Sequence, residues 1–470
     1  MYGNCTVILA AGEGTRMKSK KPKVLAQVLF KPMIDWVIDS AKACGLEEKN
    51  ICVVTGHESE QVRAHLPEGV TTVLQTERLG TGHAVMQAAD FLRRHGNANV
   101  LILNGDAPFM DGETVSCALE YHTRAQSSGT VISATVDDPT GYGRILRDGK
   151  GDFSGIVEEK DASDEQKAIR EVNSGAYWFD CQALLVALDH MQTNAKYRAN
   201  AAKEFYLTDA IEILRGMGQR VTTFNAKSPH VVLGANDRVQ LAELNEIARL
   251  RQINIHRKNG VSIPFDSGVI IAPGVRIGRD AEILQGTILR GDTVIGEDAV
   301  IGPGSVLVNC RVGDGATITQ AYGTDASVAA GTQVGPFARL RPGTVIGENV
   351  RVGNFVEIKN STIGDETKIS HLSYIGDTDV GSGVNVGSGC ATVNFTGKEK
   401  FRTVIGNDAF IGCDTSLVAP VRIGERAYTG AGSTITEDVP DDALALGRAR
   451  QVVKKDWVKT KNPYRPKDKR

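Results

Sequence analysis

Two stretches of this sequence hold residue types that could manage phosphate chemistry. The first is Leu9-Ala10-Ala11-Gly12-Glu13-Gly14-Thr15-Arg16-Met17, followed by Pro22-Lys23. A glycine-rich turn lets backbone N–H groups approach phosphate oxygens closely, and Arg16 and Lys23 add positive charge beside it. Two familiar phosphate fingerprints are excluded: G-x-G-x-x-G needs glycine where Met17 stands, and G-x-x-x-x-G-K-[ST] is absent. The second stretch surrounds His371, the sole histidine between residues 259 and 453. Lys359 and Asn394, with Arg341, Tyr374 and Asn385, supply the basic and amide groups that a sugar phosphate needs.

Those residues can act together only if the chain brings them together. From residue 269 to 435 an aliphatic residue returns every sixth position: Ile271, Ile277, Ile283, Leu289, Ile295, Ile301 and Leu307, then in shifted step Val328, Val334, Leu340, Ile346, Val352 and Ile358. A period of six suits neither a helix nor an alternating strand. It predicts a parallel β-helix of hexapeptides, in which each aliphatic points into a narrow prism and three hexapeptides close one coil, giving roughly nine or ten coils. Hexapeptide solenoids wind left-handed, against the usual crossover rule. Positions about 18 residues apart become vertical neighbours, which would set Arg341, Lys359, Tyr374, Asn385 and Asn394 within one or two coils of His371. The segment from Thr392 to Thr403 breaks the rhythm and predicts a loop leaving the coil.

Residues 4–234 predict an α/β domain with strands at Thr6–Ala10, Ile51–Thr55, Thr71–Leu74, Val100–Leu103, Thr130–Thr135 and Tyr177–Asp180. Helical patterns between several of them imply a mostly parallel sheet covered on both faces. Such sheets bind ligands at the carboxyl ends of their strands, where the glycine-rich turn falls. Leu241, Leu244, Ile247, Leu250 and Ile255 predict one amphipathic helix over 236–258.

A net charge of −2 gives no basic excess to attract nucleic acid, and no apolar run is long enough to span a membrane. The short apolar run before Gly12 lacks a basic stretch ahead of it, so no signal peptide is expected. Eight scattered cysteines without a Cys-x-x-Cys pair predict reduced thiols rather than zinc or a disulfide framework, and hence a cytoplasmic setting.

The turn from Leu9 to Met17 with Pro22-Lys23 resembles the signature of the sugar-nucleotide pyrophosphorylases, which join a nucleoside triphosphate to a sugar 1-phosphate. Gln75 with Leu79-Gly80-Thr81-Gly82-His83-Ala84 is similar to the uracil-reading loop of the uridylyl members, and Asn104-Gly105-Asp106 to the family's metal-binding segment. The resemblance implies that Asp106 and Asn236 hold Mg²⁺ and that Arg16 and Lys23 hold phosphate oxygens. It further implies that Leu9, Ala10, Ala11, Gly12, Gln75, Gly80, Thr81, Asn104 and Gly105 line the nucleotide site. Gly141-Tyr142-Gly143-Arg144, Val157-Glu158-Glu159-Lys160 and Val172-Asn173-Ser174-Gly175 resemble its sugar-binding segments, which implies sugar contacts from Gly143, Glu158 and Asn173.

From about residue 5 to 452 the chain resembles the bifunctional N-acetylglucosamine-1-phosphate uridyltransferase/glucosamine-1-phosphate N-acetyltransferase family. That implies acetyl transfer from acetyl-CoA to glucosamine 1-phosphate, then coupling of N-acetylglucosamine 1-phosphate to UTP. His371 is then the general base, since an ammonium cannot attack a thioester and a histidine can take its proton. Arg341 and Lys359 would bind phosphate, Tyr374 and Asn385 the sugar, and Ser388, Asn394, Phe395, Cys413, Ala431 and Arg448 acetyl-CoA. Ser388, Phe395 and Cys413 stand where alanine, tyrosine and serine are usual, changes that bear on cofactor affinity. The resemblance also implies a homotrimer.

The expected organisation is a Rossmann-like pyrophosphorylase domain over 1–235, a linker helix over 236–258, a β-helix acetyltransferase domain over 259–453 and a basic tail over 454–470. Two rival readings remain at this point. One is a single-activity sugar-phosphate nucleotidyltransferase whose β-helix serves assembly; the other is a scaffolding solenoid with an inactive first domain.

Overall fold

A computed structural model describes residues 3–56, 58–198 and 203–461, which form two compact units divided between Leu250 and Arg251. The last residues of the basic tail, 462–470, lie outside the described residues. No helix among the described residues is long and apolar enough to cross a membrane.

The first unit is built on strands β1 (Cys5–Ala10), β2 (Ile51–Thr55), β3 (Thr71–Leu74), β4 (Asn99–Asn104), β5 (Gly129–Thr135), β6 (Arg144–Arg147), β7 (Phe153–Val157), β8 (Glu171–Asp180) and β9 (Val221–Ala226). The main sheet runs β9-β5-β8-β4-β1-β2-β3. All its neighbours are parallel except β8, which is antiparallel to both β4 and β5. The expected mostly parallel α/β sheet is therefore observed, with three differences. Strand β8 is ten residues long rather than four, β6 and β7 form a side hairpin, and β9 closes one edge. The central strands are buried on both faces, because apolar clusters lie on either side of the sheet, one around Val7, Ile102 and Leu188 and the other around Ile8, Leu101 and Trp178.

The second unit is a stack of short parallel strands in three sheets of 10, 9 and 10 strands, in which each strand pairs with the one three positions on in sequence except at the end of one sheet, where Tyr428–Thr429 pairs with Leu444–Ala445 two positions on. This is the expected left-handed parallel β-helix, and its coil number matches the hexapeptide count. The inward aliphatics are at most 2 % exposed at Ile271, Leu289, Leu340, Ile358, Ile369 and Ile411. Many corners are turned by Asp or Asn in the left-handed region, as at Asp298, Asn309, Asp325 and Asn349, where a short polar side chain is tolerated. A feature the aliphatic period does not reveal is a buried ladder of hydroxyls. Thr344 donates to the carbonyls of Arg341 (2.7 Å) and Ile358 (3.0 Å), and Thr367 donates to that of Gly381 (2.8 Å). The Thr344 hydroxyl is thereby paired inside the coil, where it meets the Ile358 carbonyl that also accepts from the Arg341 N–H.

Helix α1 (Arg238–Lys258) begins in the first unit and ends in the second. Its buried face carries Leu241, Leu244, Ala248, Ile253 and His256, whereas Leu250 and Ile255 are exposed. The predicted helix is present, and Leu250 and Ile255, two of the apolar residues whose spacing predicts it, lie outside the face that Ala248, Ile253 and His256 complete.

Candidate active sites

The first site lies at the carboxyl ends of β1 and β4. A cavity of about 390 Å³ is lined by Leu9, Ala10, Ala11, Gly12, Arg16, Lys23, Gln75, Gly80, Thr81, Asn104, Asp106 and Asn236 among others. Gly14 takes a φ of 65°, and a Cβ there would lie 2.7 Å from the Cβ of Lys23. Glycine is therefore what lets the turn close against the lysine. The Lys23 ammonium donates to Asn236 Oδ1 at 2.8 Å and pairs with the Asp106 carboxylate. Asp106 and Asn236, 130 residues apart in sequence, thus aim oxygens at one cation. One carboxylate and one amide oxygen suit Mg²⁺, which takes few protein ligands and completes its shell with water and phosphate oxygens. Among the described residues no group of three or more His, Cys, Asp or Glu could hold a metal. Gln75 is buried and fixed, donating to the Gly80 carbonyl and bonded to His83, both at 3.1 Å.

A second cavity of about 330 Å³ shares Leu9, Thr81 and Asn104 with the first and is lined further by Glu158, Asn173, Tyr177, Tyr206 and Thr208. The two chambers therefore meet, as a two-substrate reaction requires. Burial raises the Glu158 carboxyl above its ordinary range, against a 3.3 Å hydrogen bond from Thr208. Asn173 is locked, with Nδ2 donating to Tyr177 Oη at 2.6 Å and Oδ1 accepting from the Gly175 N–H. Gly105 and Gly143 line neither cavity. Gly105 lies under the turn and donates to the Leu9 carbonyl, while the Gly143 carbonyl accepts from the Asn173 N–H. Sequence reasoning missed Arg78, Glu204, Tyr206 and Thr208 on these walls. Only the place of Arg78, two residues before Gly80, could have pointed to it.

Asp209, behind Glu158, is pushed up to about 6 by burial and then by the charge of Glu212. The folded state thus binds a proton that the unfolded state releases at lower pH, so ionised Asp209 costs stability at neutral pH and this cost disappears as pH falls toward 4. Asp209→Asn is expected to raise the melting midpoint of the first unit by roughly 2–4 °C at pH 7.5 and to change nothing near pH 4. Thermal unfolding at the two pH values checks it; an equal shift at both would assign the effect to packing.

The second site is a wall of the β-helix. Ile369, Val386, Ile411 and Thr429 are register partners in successive coils. His371, Ser388, Cys413 and Ala431 each stand two residues further on and so form one vertical column. The Asp414 N–H to Ser388 carbonyl and Gly432 N–H to Cys413 carbonyl bonds hold it together. Arg448 reaches its end, with its Cδ 3.9 Å from a Cβ built on Gly432. Below the column, Asn354 pairs with His371 across the strands, and its Oδ1 lies 3.0 Å from His371 Nδ1. A proton on Nδ1 donated to that oxygen leaves Nε2 free to accept one. Sequence reasoning missed Asn354, because nothing marks it there except a spacing of 17 residues.

Around the corner from His371, Arg341, Lys359 and Tyr374 lie on one sheet in successive coils. The Arg341 N–H donates to the Ile358 carbonyl, and Glu357 pairs with Tyr374 in register and with the Arg341 guanidinium at 2.8 Å. Tyr374 folds back over Gly376, where a Cβ would collide with its hydroxyl. Asn385 stands on the sheet of His371, above Lys368. Asn394 and Phe395 are not brought to the column. They begin the excursion 394–402 at the far corner, where Asn394 is buried and Phe395 is 54 % exposed. The excursion is a small hairpin closed by a Phe395–Lys400 bridge and a Phe401 N–H to Asn394 carbonyl bond. Asn354→Ala is expected to lower kcat roughly tenfold for any reaction in which His371 moves a proton, with little change in KM. A raised KM with kcat intact would assign Asn354 to binding instead.

Residues 5–225 match the nucleotidyl transferase family, 274–309 the bacterial transferase hexapeptide family (six repeats) and 322–420 the GMPPB C-terminal domain family. Over 458 residues the chain is 47 % identical to the bifunctional protein GlmU of Geobacillus sp. (strain WCH70), covering 97 % of this chain and 98 % of the relative. This chain belongs to the bifunctional GlmU family. GlmU proteins of Acetivibrio thermocellus (46 % identical, covering 98 % of each chain) and Clostridioides difficile (45 %, covering 97 % of each) agree over the same span. As a GlmU-family chain it is a bifunctional transferase, with nucleotidyl transfer in the first unit and acyl transfer on the hexapeptide solenoid. That sets aside both the scaffold and the single-activity readings.

Proposed function

We propose that the solenoid acetylates glucosamine 1-phosphate from acetyl-CoA and that the first unit couples N-acetylglucosamine 1-phosphate to UTP, releasing UDP-N-acetylglucosamine and pyrophosphate. The observation that carries this reading is the column His371, Ser388, Cys413 and Ala431 beside Arg341 and Lys359. A structural solenoid has no need of a base at the head of a groove of small residues.

In the first reaction His371 Nε2 accepts a proton from the substrate amine as it attacks the thioester, while Asn354 fixes the ring. Arg341 and Lys359 hold the phosphate, and Tyr374 and Asn385 the sugar. Acetyl-CoA lies along Ser388, Cys413 and Ala431 toward Arg448, and Asn394 and Phe395, at the far corner of their own coil, contribute from the hairpin to the column of a neighbouring copy. In the second, a phosphate oxygen of the sugar attacks the α-phosphorus of UTP and pyrophosphate leaves in line. All the reacting groups are anionic, so charge neutralisation and alignment are the protein's main contributions. Arg16 and Lys23 supply cationic hydrogen bonds, Gln75, Gly80 and Thr81 hold the base, and Gly143, Glu158 and Asn173 hold the sugar. Asp106 and Asn236 would hold Mg²⁺, which offsets phosphate charge when bound.

The enzyme works as a cytoplasmic homotrimer in this reading. Phe337, Phe355 and Leu372 support it: each occupies a corner next to the His371 column with positive φ and is 55–59 % exposed. Phe337 and Phe355 stack at 5.5 Å. An apolar ladder in strained backbone beside a site is a surface for a second copy to cover. The test is thiol release from acetyl-CoA with glucosamine 1-phosphate, alongside pyrophosphate release from UTP with N-acetylglucosamine 1-phosphate. Release in only one assay by folded protein would remove the other activity from this reading.

A further inference from the structure

Asp377 follows the strand Tyr374–Gly376 at a corner with a φ of 50°, and its side chain is 7 % exposed. Both oxygens of its carboxylate are met by donors. Oδ1 accepts from Asn360 Nδ2 at 2.6 Å, and Oδ2 accepts from Lys359 Nζ at 3.1 Å and from Asn394 Nδ2. Burial alone would raise this carboxyl; the bonds from Asn360, Lys359 and Asn394 outweigh it and hold it below the ordinary carboxylate range.

The three donors come from different places. Lys359 and Asn360 belong to the coil below, whereas Asn394 is the first residue of the hairpin excursion above. The backbone of Asp377 repeats the pattern, its N–H donating to the Lys359 carbonyl (3.0 Å) and its carbonyl accepting from the Thr403 N–H (3.2 Å) where the excursion returns. Thr403 Oγ1 is the one buried side-chain polar atom without a partner among the described residues. At the same end Arg402 forms a fork with Asp379 and donates to the Asn360 carbonyl. The ammonium has three donors, and the bond to Asp377 leaves others free for phosphate oxygens.

We propose that Asp377 is a positioning residue for acetyl transfer: its carboxylate holds the Lys359 ammonium in place for the sugar phosphate and, through Asn394, fixes the root of the hairpin, coupling the two substrate sites. The inference rests on the reading of Lys359 as a phosphate ligand and of Asn394 as part of the acetyl-CoA site. Asparagine is the same size but must turn an amide NH₂ toward one of these donors, so it cannot serve all three.

Steady-state acetyl transfer by the full chain tests it, with uridyl transfer in the same preparation as a measure of intact protein. Asp377→Asn is expected to raise KM for glucosamine 1-phosphate roughly tenfold and to raise KM for acetyl-CoA as well, whereas Lys359→Ala raises only the former. In the Lys359→Ala background, Asp377→Asn is expected to add about twofold or less to the sugar-phosphate KM, because the partner it positions is gone. A purely structural aspartate would lower stability without this split or this non-additivity. If Lys359→Ala leaves the sugar-phosphate KM unchanged, the phosphate-site reading fails and takes the inference with it. If Lys359→Ala raises it while folded Asp377→Asn leaves both KM values unchanged, only the positioning role is overturned. Should Asp377→Asn not fold, Asn360→Ala removes one donor and keeps the charge; it is expected to raise the sugar-phosphate KM in the same sense, and no change overturns the proposal.

Discussion

His371→Ala is expected to reduce acetyl transfer by on the order of 10²–10⁴, or about 3–5 kcal/mol of transition-state stabilisation, and to leave uridyl transfer untouched. The size follows from the position of the ring. It heads the column of Ser388, Cys413 and Ala431, its Nδ1 is bonded to Asn354, and it is the sole histidine of the solenoid. No other residue of the solenoid is of a type that titrates near neutrality in its ordinary state. The residual rate of the mutant should keep rising with pH as more substrate amine becomes free, because the solvent must now take the proton. Thiol release measured from pH 6 to 9 checks both parts, in roughly half-unit steps. A mutant within about threefold of wild type across that range would show that the base lies elsewhere.

The second large effect belongs to the first unit. Asp106→Asn keeps the shape of the side chain but removes the charge that Lys23 pairs with, and leaves Asn236 as the neighbouring oxygen donor. Pyrophosphate release from UTP and N-acetylglucosamine 1-phosphate is expected to fall by on the order of 10²–10³. Half-saturation by Mg²⁺ should move to higher concentration, because a neutral amide replaces the carboxylate facing that cation. Acetyl transfer by the same protein should be unchanged. Loss of activity with an unaltered Mg²⁺ dependence would place Asp106 in substrate orientation rather than metal binding.

Much of this arrangement is legible in the order of the residues. The six-residue period specifies the solenoid because one inward side chain per strand is a strong, repeated constraint, and Ile358, Ile369 and Ile411 are buried as the period requires. The glycine-rich turn is equally plain, since the fall of Gly12 and Gly14 between strand and charge suits few other uses. Harder to see are Asn354 and Asp377. Each acts through a residue 17 or 18 positions away, and slips in the repeat decide which residues share a column. The hairpin β6–β7 escapes the sequence pattern because its residues alternate weakly, and the full length of β8 because it pairs with strands distant in sequence.

The two folds, the order of the units and the identity of the groups that can carry charge and protons follow from the order of the residues, because local periodicity and turn chemistry are written in neighbouring positions. The tertiary structure alone decided that Lys23 faces both Asp106 and Asn236, that Asn354 orients His371, and that Asp377 joins Lys359 to the hairpin. Those relations depend on sheet register and on burial, which draw together residues whose separation in sequence carries no mark of the contact.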